Sequence, residues 1–289
     1  MKQKDVSLVV GADGLIGRAL ADHLASAGTS VVQTTRRLDT TSKRRVFLDL
    51  TEDVSDWRPP CQVSVAYLCA AVSTVDHCRR DPIQSAIVNV HNTVALAKAL
   101  VASGTFVIFP STTLVYDGSV PFRKEDDPVC PVAIYGVQKA EAEKKLLAMG
   151  NSVVVVRLSK VLNPNLPLVK GWIQALRSNK PIYAFSDKVM APVSLSFAID
   201  VLHRIGQVCP PGIIQVSGEK DVTYEQVARY VAQRIGTSPD LVQSMTAREA
   251  GLHPEAVPLH TTLDTTRLRE ELGIEPPGVW STIDLVFGL

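Results

Sequence analysis

Short, nearly continuous apolar runs at residues 6–10, 30–34, 45–49, 62–69, 105–110 and 152–157 alternate with longer stretches in which apolar residues recur every three or four positions, at 15–27, 81–103 and 135–149. Runs dense in Val, Ile and Leu predict strands buried on both faces of a parallel sheet. The three- and four-residue spacing predicts amphipathic helices between them. Over 135–149 the expected inner stripe is Ala140, the Lys144 stem and Leu147, with Glu141, Glu143 and Lys145 outside. Such alternation predicts βαβ units and an α/β fold built on a doubly wound parallel sheet.

Past residue 157 the texture changes. N-P-N-L-P at 163–167 and P-P-G at 210–212 are loop punctuation. Helices are expected at 168–178, 194–206, 224–235 and 265–271, with short strands at 181–185 and 212–216. The chain therefore divides into a main domain, 1–157, with 191–209 returning to it, and a smaller C-terminal α/β substrate lobe, 158–289. That lobe is expected against the C-terminal edge of the sheet, where α/β proteins bind ligands.

Composition narrows the class. Of 289 residues, 46% are apolar, enough for a sizeable core, and 30 Lys+Arg nearly balance 29 Asp+Glu. A net charge of +1 argues against a nucleic-acid or anionic-membrane coat protein. No apolar run approaches the ~18–20 residues of a membrane helix. The start, MKQKDVSLVV, passes from charges into an apolar run too short for a secretory leader. Cys61, Cys69, Cys78, Cys130 and Cys209 are odd in number and contain no C-x-x-C, which predicts reduced thiols and a cytoplasmic location. His23, His77, His91, His203, His253 and His260 lack metal-ligand spacing, so no metal is expected.

Residues 11–17 read G-A-D-G-L-I-G, directly after the first strand and opening the first helix. Gly11 permits the tight turn, Gly14 admits a pyrophosphate to the backbone, and Gly17 lets helix and strand pack closely. The helix N-terminus offers unpaired N–H groups and the positive end of its dipole. This is a Rossmann dinucleotide site, with Gly11, Asp13, Gly14, Leu15, Ile16 and Gly17 as the contacts. NAD proteins usually end the second strand with an acid for the ribose 2′-hydroxyl; here Arg36 and Arg37 stand there, which suits a 2′-phosphate. NADP(H) is therefore expected ahead of NAD(H). Asp49 and Leu50 are placed to meet the adenine edge, although Asp49 equally suits a turn cap.

Y-G-V-Q-K puts Tyr135 and Lys139 at i and i+4 on one helix face. A phenol titrates near 10, and a neighbouring ammonium lowers that value towards acid–base work at neutral pH. S-T-T-L-V-Y at 111–116 follows the fifth strand, so the Thr112 hydroxyl is expected to share the charge developing on a substrate oxygen. An ST-turn capping the strand end is the plainer alternative.

On these motifs, with A-A-V-S-T-V-D at 70–76, Asn89, R-L-S at 157–159 and D-K-V-M-A-P at 187–192, the chain resembles the extended short-chain dehydrogenase/reductase superfamily, and within it the dTDP-4-dehydrorhamnose reductase-like proteins. The resemblance implies Thr112, Tyr135 and Lys139 as the catalytic set, Lys139 also holding the nicotinamide ribose. It implies Ala70 and Ala71 along the cofactor, and Asn89 on a supporting helix. It further implies a homodimer and reduction of a keto group on a nucleotide-linked sugar or another small carbonyl compound. Thr113 and Leu114 carry no titratable proton, which excludes the dehydratase pattern of Asp-Glu after the Thr. A C4 epimerase, or a regulatory subunit like the β-subunit of methionine adenosyltransferase, are the alternatives. Lys160 stands where the rhamnose reductases tend to carry an aromatic residue.

Overall fold

The computed structural model describes residues 6–289; residues 1–5, which carry the charged start of the chain, lie outside the described residues. Seven strands form one sheet: β1 (Val6–Val10), β2 (Ser30–Thr35), β3 (Arg45–Phe47), β4 (Val65–Leu68), β5 (Phe106–Thr112), β6 (Val153–Leu158) and β7 (Gly212–Val216). Their order is β7-β6-β5-β4-β1-β2-β3, and every pairing is parallel. The order reverses between β1 and β4, which opens a crevice at the C-terminal strand ends.

Both faces of the sheet are covered, as the unbroken apolar runs require; all six residues of β6 are buried. Helices α1 (Leu15–Ser26), α2 (Val75–Arg80), α3 (Pro82–Ala102), α4 (Ile134–Leu147), α5 (Pro167–Arg177), α6 (Leu195–Val208), α7 (Tyr224–Arg234), α8 (Thr266–Leu272) and α9 (Val279–Phe287) follow in chain order. Leu96 and Leu100 of α3 and Leu146 of α4 pack on one face with Leu8, Leu68 and Phe109. On the other, Leu20 and Leu24 of α1 meet Leu202 and Ile205 of α6 and Leu268 of α8. By length and a mean hydropathy of 1.2 α3 passes for a membrane span, but half of it is buried against the sheet.

The structure redraws the expected halves. Segment 191–209 does return to the main body, through α6. Residues 212–216, expected in the lobe, form β7 and pair with β6 from Gly212–Val154 to Val216–Leu158. Helix α8 follows them onto the sheet. The lobe proper has its own core, in which Trp172 and Leu176 of α5 pack with Val227 and Val231 of α7 and Ile283 of α9. Short strands stitch it together: Lys160–Leu162 on Pro192–Ser194, Ile182–Phe185 on Val242–Met245, and Val189–Met190 on Val222–Thr223.

Helix α4 also turns differently from its expected stripe. Lys139, Ala142, Glu143 and Leu146 face inward, whereas Lys144 is exposed. Glu143 is buried because a buried partner, Arg157 on β6, neutralises it at 2.8 Å.

Candidate active site

The glycine turn is built to tolerances that exclude side chains. Gly11 sits at φ +85°, and a Cβ there would stand 2.7 Å from the Ala70 backbone after β4. A Cβ on Gly17 would collide with the Gly11 carbonyl oxygen. At Gly14 the only close atom is that same oxygen, 3.4 Å away, so the space outside it is free for a ligand. Gly14 is the N-cap of α1, and the helix has neither a side-chain cap nor an acid in its first turn. The first amides therefore keep their donors for an anion, and the cradle fits the pyrophosphate of a dinucleotide.

The other expected cofactor residues fall around this turn with different duties. Asp13 accepts from Thr35 Oγ1 at 2.8 Å and from Arg45, and these contacts hold its carboxyl below the usual range against the opposing effect of burial. Arg36 and Arg37 leave the end of β2 exposed, and neither enters a side-chain ion pair among the described residues. Asp49 adopts the turn-cap alternative, with Oδ1 accepting from the Thr51 amide and hydroxyl, each at 2.9 Å. Leu50 is a core residue. Ile16 reaches the neighbouring cleft; Leu15 is exposed on the opening turn of α1.

A cleft of about 490 Å³ opens beside the turn. Thr112, Thr113, Leu114 and Tyr135 line it from the main body, and Lys160, Lys188 and Tyr224 from the lobe side. Thr112 ends β5, and its Oγ1 accepts the Leu114 amide at 3.2 Å, so it caps the following turn while facing the cleft. Gly136 brings Tyr135 alongside, because any Cβ at 136 would strike the Leu114 carbonyl oxygen.

Lys139 is where the structure departs from expectation. Its Nζ donates to the Pro110 carbonyl at 2.6 Å and stands 3.6 Å from the Phe109 ring centroid, beneath the cleft floor. Burial pulls its pKa to about 7, against an upward pull from Glu143. Burial, with a smaller effect from Cys78, pushes the Tyr135 phenol above its ordinary value of 10. The i,i+4 spacing was correct, but the lysine stem runs towards the sheet rather than along the helix face.

Polar contacts beneath the site, which spacing alone did not reveal, hold it in place. Helix α3 widens into a π-helical stretch at Ile87–Asn92, a device often found at functional sites. Asn89 in that stretch clamps Val72 through both its amide and carbonyl, at 2.8 and 2.9 Å, and donates to Gln138 Oε1 at 2.8 Å. Gln138, between Tyr135 and Lys139, donates onward to Ser85 and Pro82. Ser111 donates to Glu143, which also joins Arg157. In the lobe, Trp172 packs into the core and Lys170 donates to Asn165 Oδ1 at 2.6 Å.

An all-parallel sheet of this order, with a side-chain-free turn at its switch point and a hydroxyl–phenol cleft beside it, defines a nucleotide-binding α/β protein of the short-chain dehydrogenase/reductase type. The chain belongs to the family described as RmlD substrate binding domain, whose model matches residues 6–286. A dTDP-4-dehydrorhamnose reductase of Aggregatibacter actinomycetemcomitans is 27% identical over 286 residues, covering 93% of this chain and 94% of that protein. Methionine adenosyltransferase 2 subunit beta of Rattus norvegicus is 29% identical over 182 residues, 63% of this chain and 52% of that one. Among solved structures, a dTDP-4-dehydrorhamnose reductase of Bacillus anthracis in complex with NADP superposes with a TM-score of 0.85 at 18% identity, covering 99% of each chain.

Proposed function

We propose that this protein is an NADP(H)-dependent reductase of a keto group on a nucleotide-linked sugar. The observation that carries the reading is the meeting of Thr112 and Tyr135 in one cleft beside a glycine turn in which Gly11 and Gly17 leave no room for a Cβ. The amides opening α1 would hold the pyrophosphate, and Ala70 and Ala71 would flank the dinucleotide. Arg36 and Arg37 would take the 2′-phosphate, since Asp13, at the same turn, already pairs with Arg45. When bound, the cofactor supplies the hydride.

The chain's own residues manage the proton. Tyr135 keeps its phenolic proton at neutral pH because burial disfavours the phenolate. It donates that proton to the substrate oxygen as the carbonyl becomes an alcohol. The Thr112 hydroxyl orients the same oxygen and shares its charge. The unpaired cysteines fit a reducing, cytoplasmic setting.

The test is Tyr135→Phe. The variant binds NADPH as before, while NADPH oxidation with a nucleotide-linked 4-keto sugar falls by about 10²–10⁴-fold, the usual loss for a general acid. Undiminished turnover would defeat the assignment. The similarity to a methionine adenosyltransferase β-subunit supports a second reading, a regulatory subunit. Such a subunit binds NADP and shows no NADPH oxidation with any keto sugar.

A further inference from the structure

The cleft carries two cations and no acid. Lys160 and Lys188 line it, and no aspartate or glutamate does. Lys160 opens the strand Lys160–Leu162, two residues past Leu158, which is the register partner of Thr112. At about 3.3 Å per residue along the chain and ~4.8 Å between neighbouring strands, its backbone stands roughly 8 Å from the strand end that carries the proposed carbonyl-binding hydroxyl. Lys188 lies between the strands Ile182–Phe185 and Val189–Met190, its ammonium 5.8 Å from the Tyr224 ring centroid.

Among the described residues neither lysine has a carboxylate partner. The cleft walls hold Lys160 below the ordinary lysine value; the same desolvation lowers Lys188, and repulsion from Lys160 lowers it further. Two like charges facing one cleft repel each other, and an anion between them removes that repulsion.

We propose that Lys160 and Lys188 form a carboxylate-binding subsite, so that the substrate is a nucleotide-linked keto sugar with an acidic substituent on its ring. This rests on the ketoreductase reading. A substrate offers two sources of negative charge: a ring carboxylate and the diphosphate. Position favours the ring. Lys160 lines the same cleft as Thr112 and Tyr135, two residues past the register partner of Thr112, which puts it on the side of the reacting carbon. In a hexose the C6 carboxylate is two bonds from C4, whereas the diphosphate leaves from C1 across the ring.

The test is calorimetric binding to the protein in the presence of NADP⁺, with the uronic acid sugar, the neutral hexose and the bare nucleoside diphosphate, each in dTDP and UDP form. The unaltered protein should bind the uronic acid at least about tenfold more tightly than the hexose, the size of one charge-assisted contact. Lys160→Met and Lys188→Met should each erase that preference, and Lys160→Arg should keep it. Equal affinity for acid and hexose in the unaltered protein overturns the proposal. So does equal weakening of all three ligands in the Met variants, which assigns the lysines to the diphosphate, and so does failure of every ligand to bind. Binding needs no hydride transfer. A protein that prefers the acid yet oxidises no NADPH therefore fails the ketoreductase reading and keeps the subsite.

Discussion

Glu143 and Arg157 form a charge pair sealed behind the candidate active site, with Nη2 donating to Oε2 at 2.8 Å and each side chain only 3% exposed. Ser111, at the end of the strand that carries Thr112, donates to the same glutamate. Arg157 also donates to the Tyr116 hydroxyl at 2.5 Å. The pair thus ties α4, β5 and β6 together directly under the cleft.

Removing one partner strands the other. Arg157→Met leaves Glu143 buried without compensation and should lower unfolding free energy by about 3–5 kcal/mol, read from urea denaturation. The double variant Glu143→Leu with Arg157→Met should recover most of that loss. Equal destabilisation by the single and double variants would show that the charge itself is not the issue.

Lys139 sets a pH dependence of stability. Its folded value is about 7 against an ordinary 10.5, so above pH 7 the folded chain releases a proton that the unfolded chain still holds. Stability contributed by this group therefore rises from about pH 7 upward. Cys69, raised by burial from 9.0 to about 12, opposes that rise above pH 9, because there the unfolded thiol ionises and the folded one does not. Between pH 7 and pH 9 the wild type should gain stability relative to Lys139→Met, compared by unfolding midpoints. A constant difference across that window would contradict burial of the amine.

Tyr135 predicts the shape of the rate profile. With its phenol above 10, the acid form persists through neutral and mildly alkaline pH. Reductive turnover should therefore show no alkaline fall from this group below about pH 10, measured under saturating NADPH. A fall centred near neutrality that vanishes in Tyr135→Phe would mean the phenol is acidified during the reaction.

Gly136 and Gly171 both lie in helices but should respond oppositely to alanine. At Gly136 the new methyl meets the Leu114 carbonyl, so Gly136→Ala should cost about 1–3 kcal/mol and reduce turnover by moving Tyr135 from Thr112. At Gly171 nothing lies within 4 Å, so Gly171→Ala should stabilise by about 0.5–1 kcal/mol with turnover unchanged. Calorimetric melting and steady-state rates of both variants check the contrast.

Arg36 and Arg37 should decide cofactor choice. Replacing both with Ala should raise the Kd for NADPH about tenfold or more and leave that for NADH nearly unchanged, by fluorescence titration. Equal effects on the two cofactors would remove the 2′-phosphate assignment.

Much of this was legible in the chain alone. The apolar runs specified the strands of a parallel sheet, because a strand buried on both faces has no polar alternation, and β1, β5 and β6 fall where those runs lie. The glycine turn was readable because much of its constraint is local: Gly11 takes a positive φ and Gly17 is fixed by the Gly11 carbonyl, while Ala70 after β4 adds a constraint from afar. Thr112 and Tyr135 were legible as types at a spacing.

What the sequence left undecided depends on partners distant along the chain. The inward turn of Glu143 follows from Arg157, fourteen residues on, and periodicity treats a lone glutamate as a surface residue. Residues 212–216 have the short apolar look of either half, and only the open edge of β6 draws them into the main sheet. Lys139 shares a face with Tyr135 by spacing, yet the Pro110 carbonyl and the Phe109 ring direct its amine beneath the floor. Local periodicity and steric limits on the backbone thus fixed the elements and the nucleotide turn. The charge environment of the cleft was decided by tertiary packing, because burial and Coulomb interactions depend on distance in space rather than along the chain.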